Sequence, residues 1–298
     1  MAAPSTLNRS LELAGTLPAL MVAADRVAAT VIQGVHGRRR VGQGDAFWQY
    51  RPYRDGDSAS QIDWRQSARS RNLFVRETEW EAAASVWLWR DASPSMQYAS
   101  LRNLETKAVR AELITLALAS LLTDAAERIA VLGTGMRPIT GRVGVRRVAE
   151  TLYDETRDGQ RPPPSLPPMV PLPAHGTVVL VSDWLDPLDK IEDVIRYYAS
   201  VGVRGHLVQV LDPAEEDLPF DGHVKFEGLE AEGQHTIRRV ETVRTAYGAR
   251  LAAQKEGLQR LARPANWTVH LHRTDRPAQT VLLSLYLAMA DLRRLSMA

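Results

Sequence analysis

Five short apolar runs set apart by longer helical stretches constrain the fold of this chain more than any other feature. The runs lie at 85–90, 128–133, 177–182, 204–211 and 267–272. The stretches beside them, at about 102–125, 143–157, 187–200, 241–262 and 277–293, read as helices. Strands that alternate with helices pair in parallel, because each helical crossover carries the chain back to the edge where the last strand began. The expected fold class is α/β, a mostly parallel sheet covered by helices on both faces, preceded by a helical and extended N-terminal region. Segments 224–229 and 235–240 read as a hairpin inserted after the strand ending at Leu211. The run from Pro162-Pro163-Pro164 to Pro173 can join neither a central strand nor a helix and is expected to be irregular.

At 298 residues the chain can hold one large α/β domain and an extension. It contains no cysteine, which excludes disulfides, thiolate metal sites and a cysteine nucleophile, and a cytoplasmic setting is expected. The apolar stretches Ala111 to Thr123 and Ala278 to Ala290 fall short of the roughly 20 residues of a membrane span and read as buried helices. Leu13 to Ala24 loosely resembles a signal-peptide core, but Glu12 precedes it and Arg9 is the one basic residue upstream, so residues 5–35 read as a helix. Basic clusters at His36 to Arg40, Arg69 to Arg71 and Arg142 to Arg147 are balanced elsewhere, leaving a formal charge of +2. Nucleic acid is therefore not the expected partner.

The strand 85–90 ends in Asp91-Ala92-Ser93-Pro94-Ser95, an acid followed at two-residue spacing by two hydroxyls. A tight loop of that spacing can turn one carboxylate and two hydroxyl oxygens toward a common point. Such a group suits a hard cation, Mg²⁺ or Mn²⁺, which takes oxygen ligands and keeps several waters. The run 177–182 is followed by Asp183. Ligand sites of parallel sheets lie at the carboxyl ends of the strands, so two adjacent strands would bring Asp91 and Asp183 to one edge. Aspartate and serine at such positions also cap helices, which is the plainer reading of each residue alone.

This combination resembles the metal-ion-dependent adhesion site of von Willebrand factor A domains. The resemblance implies a von Willebrand A-like, Rossmann-like core in which Asp91, Ser93, Ser95 and Asp183 hold the ion. It also implies a threonine from a middle loop, for which Thr140 is the choice and Thr134 the rival. A second set of motifs lies upstream: Tyr53-Arg54-Asp55-Gly56-Asp57, Ile62-Asp63-Trp64, Ser67-Ala68-Arg69 and Val75-Arg76-Glu77. It is similar to the signature of the bacterial family known as domain of unknown function 58. That resemblance implies partnership with a MoxR-type AAA+ ATPase. The expected organisation is residues 1–81, an N-terminal helix plus signature region packed on the core through Trp64, and residues 82–298, the von Willebrand A-like domain.

The expected function is a non-catalytic, metal-dependent interaction module that works with such an ATPase on an unidentified client protein. The alternatives are an enzyme at the same strand ends, or nucleic-acid binding through the basic clusters. A phosphotransferase of the haloacid-dehalogenase type needs a second acid two residues after the first, and that position is Ser93. His270 and His272 would share one face of a strand, but with no third ligand in view a zinc pair is not expected.

Overall fold

The computed structural model describes residues 21–32, 47–53, 62–69, 72–78, 85–157, 163–229 and 233–296. The chain divides into two compact units, Met1–Val35 with Ala84–Ala298, and His36–Ala83. In chain order the elements begin with helix α1 (21–32), strand β1 (Phe47–Pro52), the single turn α2 (Trp64–Ser67) and strand β2 (Phe74–Thr78). The alternating part follows as β3 (Ser85–Arg90), α3 (Lys107–Asp124), β4 (Arg128–Val131), α4 (Gly141–Arg157), β5 (Thr177–Ser182), α5 (Leu188–Ser200) and β6 (Arg204–Leu211). A short helix α6 (Pro213–Asp217), the hairpin β7 (Val224–Glu227) and β8 (Gln234–Ile237), α7 (Arg244–Ala262), β9 (Thr268–Arg273) and α8 (Ala278–Ser296) complete it.

β3, β4, β5, β6 and β9 form a parallel sheet in the order β4-β3-β5-β6-β9. The chain winds from β3 to one side, onto β4, and then crosses to the other side, onto β5. The point where winding reverses is therefore the crevice between the carboxyl ends of β3 and β5, where ligands of such sheets bind. Alternate residues of β3 serve the two faces: Val86 and Leu88 join a core with α1, α3, α4 and α8, while Trp87 and Trp89 join one with α5 and α7. Burial on both faces explains why these strands read as continuous apolar runs. At the amino end of β6, Gly205 leaves room for the Trp267 ring, since a Cβ there would lie 2.1 Å from its Cδ2.

α1 belongs to the larger unit, with Ala24, Val27, Ala28 and Val31 in the core and Asp25 Oδ1 accepting a 2.8 Å hydrogen bond from Ser120 Oγ of α3. The inserted hairpin pairs antiparallel from Val224↔Ile237 to Glu227↔Gln234. Residues 163–176 hold no helix or strand, as the prolines require. Among the described residues, no helix is long and apolar enough to cross a membrane.

In the smaller unit β1 and β2 pair antiparallel, with a register irregularity between Phe47 and Gln49. Asp63 N donates to Phe74 O at 2.9 Å, and Ser67 Oγ accepts from Phe74 N at 2.9 Å, fixing α2 to β2. Asp63 Oδ1 also accepts from Arg65 N at 3.0 Å, so it serves the local turn. Ile62 is buried, whereas Trp64 is 64% exposed, which corrects the expectation of a buried anchor. Trp64→Ala should accordingly move the unfolding free energy by no more than about 0.5 kcal/mol, as surface substitutions do. A denaturant melt of the variant checks this, and a loss of 3 kcal/mol would show that the ring is covered. Gly56 and Asp57 lie outside the described residues.

Candidate functional site at the carboxyl edge of the sheet

Asp91 follows β3 and Asp183 follows β5, and these strands are neighbours, with Arg90 opposite Val181. Asp91 N donates to Val181 O at 2.8 Å, extending the pairing to the strand ends. Both carboxylates are buried, at 0% and 2% exposure. The four residues singled out by spacing form one chain of contacts. Asp91 Oδ1 accepts from Ser93 N at 2.7 Å, Ser93 Oγ lies 3.0 Å from Ser95 Oγ, and Ser95 Oγ donates to Asp183 Oδ2 at 3.0 Å. The loop is held by a 3-10 turn over Pro94–Gln97, whose Met96 is fully buried in the core.

Thr140 is not part of this group, which corrects the choice made from sequence. Ile139 pairs antiparallel with Ile129, near the start of β4, so Thr140 lies beside the amino edge of the sheet. Ser85 of β3 is level with Arg128, and Asp91 lies six residues farther along, roughly 20 Å away at strand rise. Thr134 does lie beyond the carboxyl end of β4, but its Oγ1 donates to Val131 O at 3.0 Å and accepts from Met136 N, serving the local turn.

Residues that spacing did not single out complete the site. Ser182 Oγ donates to Asp91 Oδ2 at 2.8 Å and accepts from Trp184 N at 3.2 Å, coupling both strand ends. Gln209 Nε2 donates to Asp183 O at 2.7 Å, and Trp184 Nε1 donates to Val208 O at 3.1 Å. Trp184 is fully buried at φ +53°, a left-handed conformation that costs a non-glycine residue about 1–2 kcal/mol. The surrounding bonds hold it there and fix the direction of Asp183.

The fully buried Lys107, first residue of α3, sends its Nζ to Asp183 Oδ2 at 2.8 Å and to Glu215 Oε1 at 2.5 Å. Glu215 is itself fixed by a capping box, accepting from Asp212 N at 2.8 Å while Asp212 Oδ1 accepts from Ala214 N. Asp212, fully buried, directly follows β6 and also accepts from Ser100 N. The sequence Asp212-Pro213-Ala214-Glu215 carries the capping-box signal that could have located this part of the site. Nothing in the spacing of Lys107 foretells its contact with Asp183, 76 residues away.

Charge is unevenly balanced here. Asp183 and Glu215 share one ammonium and the Asp91 carboxylate lies close enough to Asp183 to feel its charge, so full ionisation of the three acids leaves at least two negative charges in excess. Burial, reinforced by the charge of Asp183 and only partly offset by the serine hydrogen bonds, pushes the Asp91 carboxyl up to about 6. Burial also pushes Glu215 up, against the opposing pull of Lys107. For Lys107 burial acts downward, but the charges of Asp183 and Glu215 outweigh it and hold the ammonium above its ordinary range. A cleft of about 680 Å³ opens beside the site, lined by Ser95, Asp183 and Glu215 at one end and by Phe226, Tyr247 and Arg250 farther along.

The sequence profile described as "Protein of unknown function DUF58" matches residues 49–257, which takes in most of the smaller unit's hairpin, both acidic strand ends and most of α7. The chain belongs to the DUF58 family. Relatives of this DUF58 chain include the uncharacterized protein Rv1480 of Mycobacterium tuberculosis and the uncharacterized protein Mb1516 of Mycobacterium bovis. Each is 23% identical over 291 residues, covering 92% of this chain and 89% of the relative. No solved structure matches the chain.

Proposed function

We propose that this chain is a metal-dependent protein-interaction module with a von Willebrand A-like core, holding one Mg²⁺ or Mn²⁺ with Asp91, Ser93, Ser95 and Asp183. The observation that carries the reading is the excess of buried carboxylate over ammonium at the β3–β5 switch point, beside two hydroxyls 3.0 Å apart. Buried charge is costly unless compensated, and an oxygen-only donor set with two acids suits a hard divalent ion. The residues present therefore fit such an ion. With no threonine among the described residues of the site, it would bind more weakly than a five-residue set. Bound there, it would offer an open coordination position to a carboxylate from a partner.

The partner in this reading is a MoxR-type AAA+ ATPase, acting with this chain on a client protein. Binding rather than reaction is favoured because Ser93 stands where a phosphotransferase needs its second acid, with its hydroxyl already engaged by Ser95. A specific observation favours a second reading. Lys107 already supplies a cation to Asp183, so the cluster could be a closed structural network that needs no metal.

The test is the affinity of the purified chain for its MoxR-type ATPase, measured without nucleotide in Mg²⁺ and in chelator. Wild type should bind only with Mg²⁺, and Asp91→Ala should not bind in either. Moderate salt should weaken this contact less than it weakens one made through a basic patch. Binding that survives both chelator and Asp91→Ala, and is lost in Arg38→Ala, would move the contact to the basic stretch Arg38 to Arg40, which lies outside the described residues.

A further inference from the structure

Lys107 is the feature of the site that the metal reading leaves unused. It is 0% exposed, yet it carries an ammonium, and one of the two carboxylates it touches belongs to a residue assigned to the ion. Its position is fixed twice. Its backbone N donates to Tyr98 O at 3.1 Å, at the end of the loop that carries Ser93 and Ser95, and Thr106 Oγ1 caps α3 by accepting from Val109 N. The ammonium therefore reaches Asp183 from a rigid helix start. Its other carboxylate, Glu215, is held by the backbone of α6 and is not among the ion's ligands. Asp183 Oδ2 already accepts from both Lys107 Nζ and Ser95 Oγ, while Asp183 Oδ1 accepts from Leu185 N at 3.3 Å. An oxygen so occupied has little capacity left for a second cation.

We propose that Lys107 is a resident counter-cation that competes with the divalent ion for Asp183 and thereby sets the ion affinity of the site. This rests on the metal reading above and deepens it by naming its regulation. In the ion-free protein Lys107 bridges β5 to α6 through Asp183 and Glu215, holding the acidic edge together. Ion entry breaks the Lys107–Asp183 contact and leaves the ammonium to Glu215, so occupancy is exchanged for one internal ion pair. The exchange also reaches the neighbouring cleft, because Asp183 and Glu215 both line it. The competition keeps affinity low, so that the site responds to its surroundings rather than staying permanently filled.

Removing the lysine alone also raises the negative charge of the cluster, which by itself attracts cations. The informative variant is therefore Lys107→Met combined with Glu215→Gln, which removes one positive and one negative charge and leaves the net charge as in wild type. Its glutamine oxygen can still accept from Asp212 N, which keeps the α6 cap. Mn²⁺ and Mg²⁺ are titrated calorimetrically into wild type, Lys107→Met and the double variant. The expected result is binding at least tenfold tighter in the double variant than in wild type, and tighter still in Lys107→Met if that variant folds. Unchanged or weaker binding in the double variant, with wild type binding normally, would overturn the competition while leaving the metal reading intact. Tighter binding in Lys107→Met alone would reduce Lys107 to a background charge, and would overturn it also. No binding by any of the three would overturn the metal reading itself, and the inference with it.

Discussion

Trp184→Ala is expected to cost about 3–5 kcal/mol of unfolding free energy, the range for truncating a large buried aromatic side chain. Trp184 is fully buried, its ring centroid lies 6.3 Å from that of Trp89, and its Nε1 bonds the backbone of β6. Loss of the ring would leave a cavity between β3, β5 and β6 and strip a hydrogen bond from Val208 O. For a chain of this size the melting temperature should fall by about 5–8 °C. Trp184→Gly separates the packing term from the backbone term. Glycine relieves the left-handed φ and should recover up to about 1 kcal/mol relative to alanine. Denaturant unfolding followed by circular dichroism reads both. A loss below 1 kcal/mol for Trp184→Ala would mean that the ring is not the keystone of the Asp183 loop.

Acid should weaken the fold through two histidines of β9. Burial pushes His270 and His272 down to about 4, with the charge of Arg110 adding to the effect at His272. Below pH 6.5 the unfolded chain takes up protons that the folded chain refuses, so stability falls as pH drops from about 6.5 toward 4. Each histidine so depressed removes about 3 kcal/mol of stability by pH 4. Asp91 acts oppositely: its raised value lets the folded chain hold a proton that the unfolded chain has lost. It therefore regains about 2 kcal/mol as pH falls through 6 toward 4. Glu112, Glu155 and Glu215, all raised chiefly by burial, have the same sign as Asp91.

Variants separate these contributions. His272→Gln should shrink the difference in stability between pH 7 and pH 4 by about 3 kcal/mol, and Asp91→Asn should enlarge it by about 2 kcal/mol. Urea titrations of each protein at the two pH values give the answer. Equal differences in wild type and His272→Gln would show that His272 is not held neutral by the fold.

The fold was legible because burial on both faces writes itself as continuous apolar runs. The expected strands at 85–90, 177–182 and 204–211 match β3, β5 and β6 in their bounds, and the hairpin after Leu211 is present. The short helix α6 was missed because five residues carry no period, although its capping box was there to be read. The site was legible where chemistry and chain proximity coincide, as in Asp91, Ser93 and Ser95, and where a strand ends in an acid, as at Asp183. Thr140 was misplaced because the turn after β4 folds back along that strand, through the Ile129–Ile139 bridge, and no local residue announces it. Lys107 stayed hidden for a related reason. A lysine at a helix start reads as a surface residue, and its burial comes from acids supplied by β5 and α6.

In the proposed function, Asp91, Ser93, Ser95 and Asp183 together hold one divalent ion. Its most direct test is Mn²⁺ binding to the chelator-stripped chain at pH 7.5, followed by electron paramagnetic resonance of the free ion. Wild type should show one site per chain, competed by Mg²⁺, and absent in Asp91→Ala although that variant keeps its circular dichroism spectrum. No site in wild type, or the same affinity in Asp91→Ala, would contradict it.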